Sequence, residues 1–495
     1  MNIKQAKQSI KDTVRIYLKK NEFGEYVIPI MKQRPVFLVG APGVGKTMIM
    51  EQIAAELNIA LVSYSMTHHT RQSALGLPYI REEEYDGVKT EITEYTMSEI
   101  IASVYQMMEE TGMKEGILFL DEINCVSETL SPSMLQFLQY KVFGRHRVPE
   151  GWVIVTAGNP PEFNKSVREF DVAQLDRLKV MEVVPDYAIF KEYAADAGIH
   201  PAIIGFLDIN PQYFYLIENT VKGRSFVTAR GWEDLSEILK LYEEESISVD
   251  EALIGQYLRN EKVVREYAVY YELYNKYKRI YATDEILKGN WDENILKRAG
   301  RAELDERLSL LMLLTDGIVS NMKNVLEQID CLMGLAPVIK SLDETDLQVQ
   351  IADILENMRR RLKSLRHASS LSREDERRTL RTLAFWDDVN KKVIGQDCGL
   401  AEIKARYNDE VAAAKDATSA IKESMHFLFE FVNAAFGCEN EMLILVTTLT
   451  TNKYAAAFIA RFSSEDYTMY ADKMMSIERR IDMSDEIKSV LDEIN

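Results

Sequence analysis

Cysteine is scarce in this 495-residue chain, and the four present, Cys125, Cys331, Cys398 and Cys438, lie far apart with no C-x-x-C spacing and no paired histidines nearby. That excludes a disulfide scaffold and a cysteine-based zinc site, and buried, reduced thiols are expected instead. No run approaches the roughly 18 consecutive apolar residues that a membrane span needs. The first 20 residues scatter their lysines and lack an apolar stretch followed by a small-residue cleavage site, so neither a membrane anchor nor a secretion signal is expected and the cytoplasm is the expected location. Positive charge is in deficit: 59 Lys and Arg face 78 Asp and Glu, a formal charge of −19. Such a chain repels phosphate backbones at long range, and no local basic patch large enough to reverse this is obvious, so the expected partners are proteins and not nucleic acid.

What is present suits a soluble, folded, multidomain protein. Hydrophobic residues make up 46% and charged residues 28%, and the length allows about three domains. Residues 1–33 open with Ile3, Ile10, Val14 and Tyr17 at helical spacing, which predicts a packing helix. From Val36 to about Val184, short apolar runs (Val36–Val39, Leu61–Tyr64, Ile117–Leu120, Val153–Thr156, Val180–Val183) alternate with helix-length segments. Runs of this kind are what parallel strands buried on both faces look like, and a three-layer α/β domain follows. From Pro185 to about Ile280 the pattern turns helical, a small lid. Beyond it Pro337 is the only proline, and amphipathic segments such as Arg301–Lys323, Leu347–Leu365 and Ser372–Lys392 predict a helical bundle or hairpin array. One apolar stretch there, Phe436 to Thr450, reads as a buried helix. The expected domains are therefore 1–184, 185–280 and 281–495.

The strongest motif is Gly40-Ala41-Pro42-Gly43-Val44-Gly45-Lys46-Thr47, placed between the strand Val36–Val39 and the helix that starts at Met48. A phosphate chain needs curled backbone N–H groups, a helix N-terminus, a lysine for the β- and γ-oxygens and a hydroxyl for Mg²⁺, and this segment supplies all four. A second motif, Gly116-Ile-Leu-Phe-Leu-Asp121-Glu122, ends an apolar strand in two acids. Asp121 is placed to join Thr47 in the Mg²⁺ shell and Glu122 to polarise an attacking water, although such a pair taken alone more often caps a helix. A third strand ends in Asn159, a turn residue by default, whose rank comes from its order and strand context. His68-His69 invites a metal reading, but adjacent side chains rarely converge on one ion.

Lys46 with Thr47, Asp121 with Glu122, and Asn159, in that order on three strands, resemble the AAA+ ATPases, and Phe170-Asp-Val-Ala-Gln-Leu-Asp-Arg177 resembles the MoxR branch of that dynein-related group. The resemblance spans roughly residues 20–245. It implies a P-loop NTPase domain with a helical lid ahead of an all-α C-terminal region, with ATP and Mg²⁺ as cofactors. It also implies Arg177 as the finger entering a neighbouring subunit's site, Arg230 in Thr228-Ala-Arg230-Gly-Trp as the lid arginine that senses the γ-phosphate in cis, and a homo-oligomeric ring, a hexamer. Read without the family, an arginine beside Asp176 is more often a surface ion pair. The insertion from Leu77 to Thr96 alternates Val88, Thr90 and Ile92 around Tyr85-Asp86-Gly87, a hairpin signal. Such insertions face the ring's channel in the family, and the plain alternative is a surface hairpin.

Three functions stay open at this stage. One is a remodeller, loader or activator of a protein client, for which the family offers von Willebrand factor A domain proteins. Another is a nucleic-acid motor of restriction type, kept alive by Arg145, His146 and Arg147 in one short loop. The last is a nucleotide-dependent scaffold. No Asn-Lys-x-Asp motif occurs, which favours ATP over GTP.

Overall fold

The computed structural model describes residues 1–68, 76–85, 88–163, 167–220, 223–367, 373–394, 399–438 and 440–473. His69, Asp86, Gly87 and Cys398 lie outside the described residues. Among those described, the strands are β1 (Val36–Gly40), β2 (Ala60–Ser65), β3 (Pro78–Tyr85), β4 (Val88–Tyr95), β5 (Gly116–Asp121), β6 (Val142–Phe143), β7 (His146–Arg147), β8 (Trp152–Gly158), β9 (Lys179–Val183), β10 (Leu216–Thr220) and β11 (Gly223–Val227).

The five apolar runs form one parallel sheet in the order β2-β5-β8-β1-β9. Side chains alternate faces along a strand, so a sheet apolar on both faces needs cover on both. On one face Val36, Leu38, Ile117, Phe119, Val153 and Val155 pack with residues of the helices Ile3–Tyr17 and Lys46–Leu57. On the other, Phe37, Leu118, Leu120, Trp152 and Ile154 pack with residues of Glu99–Thr111 and Ser131–Tyr140. This is the three-layer α/β arrangement, and a helical C-terminal region follows it.

Two compact units divide the chain. The first holds Met1–Ile189, Thr228–Arg230 and Ile351–Asp387; the second holds Phe190–Val227, Gly231–Gln350 and the described residues from Asp388 on. In the first unit, β3 and β4 pair as an antiparallel hairpin from Pro78↔Tyr95 to Tyr85↔Val88. Also in this unit, the part of the helix Leu347–His367 from Ile351 on and the part of Arg373–Ile394 up to Asp387 are tied by Arg359–Asp387 at 2.5 Å and Arg366–Glu376 at 2.6 Å. Both arginines are exposed and both acids half-buried, so each pair contributes little to stability.

In the second unit an aromatic core gathers Phe206, Tyr213, Trp232 and Tyr267, with Trp232 and Tyr267 ring centroids 5.3 Å apart. The helix Glu261–Tyr281 feeds it because Tyr267, Tyr271, Tyr274, Tyr277 and Tyr281 recur at three- and four-residue steps and so share one buried face. The helices Leu304–Lys340 and Leu400–Phe436 are 37 residues each.

The structure departs from the sequence expectations in four places. The lid segment is not purely helical: β10 and β11 form an antiparallel hairpin, Leu216↔Val227 to Thr220↔Gly223, because five-residue strands are too short to carry a clear periodicity. Phe436–Thr450 is not one buried helix; Gly437, at φ 76°, ends one helix before Asn440–Thr451 begins. Arg145, His146 and Arg147 sit on the tight β6–β7 hairpin. Cys331 is buried, but Cys125 and Cys438 are only partly so. No single helix among the described residues is long and apolar enough to cross a membrane.

Leu118, fully buried in β5, reports on this core. Leu118→Ala should cost about 2–5 kcal/mol through lost burial and the cavity left behind, measured as a lower urea midpoint at unchanged slope; an unchanged midpoint would contradict the buried placement.

Candidate functional site

In a parallel sheet every strand points the same way, so the residues that end the strands meet at one edge. The register makes this concrete: Ser65 of β2 lies opposite Asp121 of β5, and Val39 of β1 opposite Gly158 of β8. Four strand ends therefore deliver Ser65, Asp121 with Glu122, Asn159, and the loop after Gly40 to the same place.

That loop runs into the helix Lys46–Leu57 through two glycines with left-handed backbone, Gly43 at φ 76° and Gly45 at φ 91°. Gly45 is the N-cap and offers no side chain to the helix end. The first helical bond runs from the Ile49 amide to the Gly45 carbonyl at 3.1 Å, so the amides of Lys46, Thr47 and Met48 precede any intrahelical partner. Amides presented this way, at the positive end of a helix dipole, form an anion-binding nest.

Lys46 is 8% exposed. Its Nζ donates to the carbonyls of Gly40 (2.8 Å) and Ala41 (2.9 Å) and to Asn159 Oδ1 (3.0 Å). Burial pushes its pKa down to about 8; the Asp121 and Glu122 carboxylates oppose that, and the Arg230 guanidinium adds to it. Arg230 therefore stands near enough to Lys46 for their charges to interact, and a Cβ placed on Gly43 would lie 3.6 Å from Arg230 Cβ.

Thr47 Oγ1 donates to Asp121 Oδ2 at 3.1 Å. A hydroxyl and a carboxylate sharing one point fit Mg²⁺, which takes one or two protein oxygens and fills its octahedron with phosphate and water. No group of three or more His, Cys, Asp or Glu able to hold a metal occurs among the described residues, so a cation here would rely on such outside ligands. Asp121 Oδ1 also accepts from the Glu122 amide at 2.9 Å. Glu122 itself adopts φ 56°, ψ 36°, a left-handed backbone that costs a side-chain-bearing residue of order 1 kcal/mol.

Arg177 is not brought to Lys46. It comes two residues before β9, whose Lys179 pairs with Val36 at the start of β1, so it lies towards the opposite edge of the sheet. There its Nη1 donates to the Ala173 carbonyl at 3.3 Å. With Pro132, Leu135, Gln136, Gln139 and Asp171 it lines a cavity of about 320 Å³.

Two residues at the site were not singled out from the sequence. Ser65 Oγ donates to Glu122 Oε2 at 3.2 Å; its signal was a polar residue closing an apolar strand. Asn124 Nδ2 donates to the Asn159 carbonyl at 2.8 Å, and its signal was weaker, an amide three residues beyond the Asp121 acid.

Residues 36–175 match the family described as ATPase family associated with various cellular activities (AAA). The chain carries an AAA-family ATPase domain. The matched segment contains Lys46, Thr47, Asp121, Glu122 and Asn159 and stops short of Arg177 and Arg230. A solved structure from Cytophaga hutchinsonii, provisionally described as an ATPase, is similar at 15% identity and a TM-score of 0.24, over 38% of this chain and 56% of that one. No curated protein matches the chain. A nucleotide site in the AAA domain thus rests on the family match together with the chain's own residues.

The lowered Lys46 pKa sets a pH dependence. Between about pH 8 and the ordinary lysine value near 10.4, the unfolded chain holds a proton that the folded chain has lost, so this residue's contribution to stability rises with pH. Affinity for a phosphate chain needs the ammonium and should move the other way, with the dissociation constant of fluorescent mant-ATP climbing above pH 8 in wild type and staying flat in Lys46→Ala, whose binding is weak throughout. A wild-type affinity constant across that range would contradict the burial argument.

Proposed function

We propose that the chain is a MoxR-like AAA+ ATPase that hydrolyses Mg·ATP in a ring, a hexamer, and uses the energy to remodel, load or activate a protein client. The observation that carries the reading is the meeting of Lys46, Thr47, Asp121, Glu122 and Asn159 at one sheet edge, with Arg177 held towards the other.

The phosphate loop amides and Lys46 hold the β- and γ-phosphates. Thr47 and Asp121 would hold Mg²⁺, which would neutralise charge on the phosphate oxygens. Glu122 takes a proton from the attacking water as the terminal phosphorus–oxygen bond breaks, yielding ADP and phosphate, and Asn159 orients the γ-phosphate or the water. Phosphoryl transfer asks for positioning and charge compensation more than covalent chemistry, which suits side chains fixed at strand ends. Arg230, beside the phosphate loop, completes the cis charge. Arg177 is poorly placed to reach its own chain's site, and a role in a neighbour's site would account for that, which supports the ring reading.

The client reading rests on the acidic chain and on family resemblance, which also suggests a von Willebrand factor A domain protein as partner. Arg145 weakens the alternative of a basic nucleic-acid channel. It lies 2.6 Å from Glu94 and 3.5 Å from Glu83, both on the β3–β4 hairpin. The Tyr79 hydroxyl, followed by Arg145 and Arg81, holds the Glu94 carboxyl below its usual pKa, so that carboxylate stays charged and offsets the arginine.

Hydrolysis per subunit should rise with protein concentration as rings assemble. Arg177→Ala should lower kcat by roughly 10³-fold or more while mass photometry with ATP still shows the ring. A rate per subunit independent of concentration that survives Arg177→Ala would refute the shared site.

A further inference from the structure

We propose that Asn124 is a positioning residue that keeps Asn159 in place against Lys46 and links the nucleotide edge to the segment leading to Arg177. The inference rests on the ATPase reading above and deepens it.

Asn124 follows the acid pair in the short turn Ile123–Cys125 and is 6% exposed. Its side chain makes one hydrogen bond, Nδ2 to the Asn159 carbonyl at 2.8 Å. That acceptor fixes the amide orientation, because the flipped amide would set two oxygens against each other. The other side-chain atom, Oδ1, is buried without a hydrogen-bond partner, and an unmet buried acceptor is unfavourable. What offsets this is the N–H donor on the same side chain.

The use of that donor is visible in what it holds. Asn159 Oδ1 accepts from Lys46 Nζ at 3.0 Å, so the donor on Asn124 grips the backbone of the residue that touches the buried ammonium. Asn124 packs so closely on the preceding residue that a Cβ on Gly158 would sit 2.4 Å from Asn124 Oδ1; glycine at 158 is a condition of the contact. The main chain of Asn124 is engaged as well, its carbonyl accepting from the Arg168 amide at 2.9 Å. Three residues on, Asp171 caps the helix Val172–Leu175, which precedes Arg177. One residue therefore joins the acid strand, the Asn159 strand and the Arg177 segment. A change at the γ-phosphate felt by Asn159 has a short mechanical path to the arginine that serves the next subunit.

Asn124→Asp keeps the shape and removes the N–H donor, while Asn124→Ala removes both. Phosphate release, mant-ATP affinity and amide exchange over residues 155–163 would be measured across pH for both variants and the wild type. The expected result is a kcat lowered roughly 10- to 100-fold in both, with mant-ATP affinity near wild type and faster exchange at the strand end. Asn124→Asp should recover relative to wild type as pH falls, because a protonated carboxyl regains an O–H donor for the Asn159 carbonyl; Asn124→Ala should not. If Asn124→Ala fails to fold, the isosteric variant decides alone. An Asn124→Asp that matches an active wild type at every pH shows that only packing matters and overturns this inference alone. A loss of affinity in step with rate does the same. A wild type that releases no phosphate overturns the ATPase reading, and this inference with it, before any variant is compared.

Discussion

A lysine that is 8% exposed must have its ammonium met by oxygens, and Lys46 is met by three: two carbonyls of its own loop and the Asn159 side chain. Much of the domain can be understood as what this costs and how it is met. Burial lowers the lysine's hold on its proton, and the Asp121 and Glu122 carboxylates restore part of it. For those acids to stand close, β5 must end near the ends of β1 and β8, and the parallel register does this. A site assembled from strand ends is as rigid as the sheet beneath it, which suits chemistry that depends on placement.

Charge at the site is separated in a useful way. Lys46 and Arg230 are cationic near the phosphate loop, and Asp121 joins Thr47 at 3.1 Å where a divalent cation fits. Glu122, in a strained left-handed backbone and 3.2 Å from Ser65 Oγ, is restrained by a contact that is cheap to break. Arg177 stands apart. One chain thus carries both the phosphate-loop site and an arginine out of its reach, as the proposed ring requires.

The sheet was legible in the sequence because strands buried on both faces are written as unbroken apolar runs, and all five runs, Val36–Val39 among them, became neighbours in one sheet. The contacts of Lys46, Thr47 and Asp121 follow from motifs fixed in order along three strands. What stayed hidden is tertiary. Ser65 becomes notable only when its strand pairs with β5, and Asn124 only when Gly158 lets it approach. The β10–β11 hairpin was lost in a segment whose helices dominate the pattern. Arg145 looked like part of a basic loop because the sequence does not show that Glu94, 51 positions earlier, sits beside it.

Whether the strand-end constellation breaks the terminal phosphate bond of ATP is decided by single-turnover phosphate release from wild type and Glu122→Gln, each with bound Mg·ATP in the same preparation. Wild type should release phosphate, and Glu122→Gln should bind ATP with similar affinity and keep it intact. Release at the same rate from both would contradict it, and would mean that the acid beyond Asp121 caps a turn and does no chemistry.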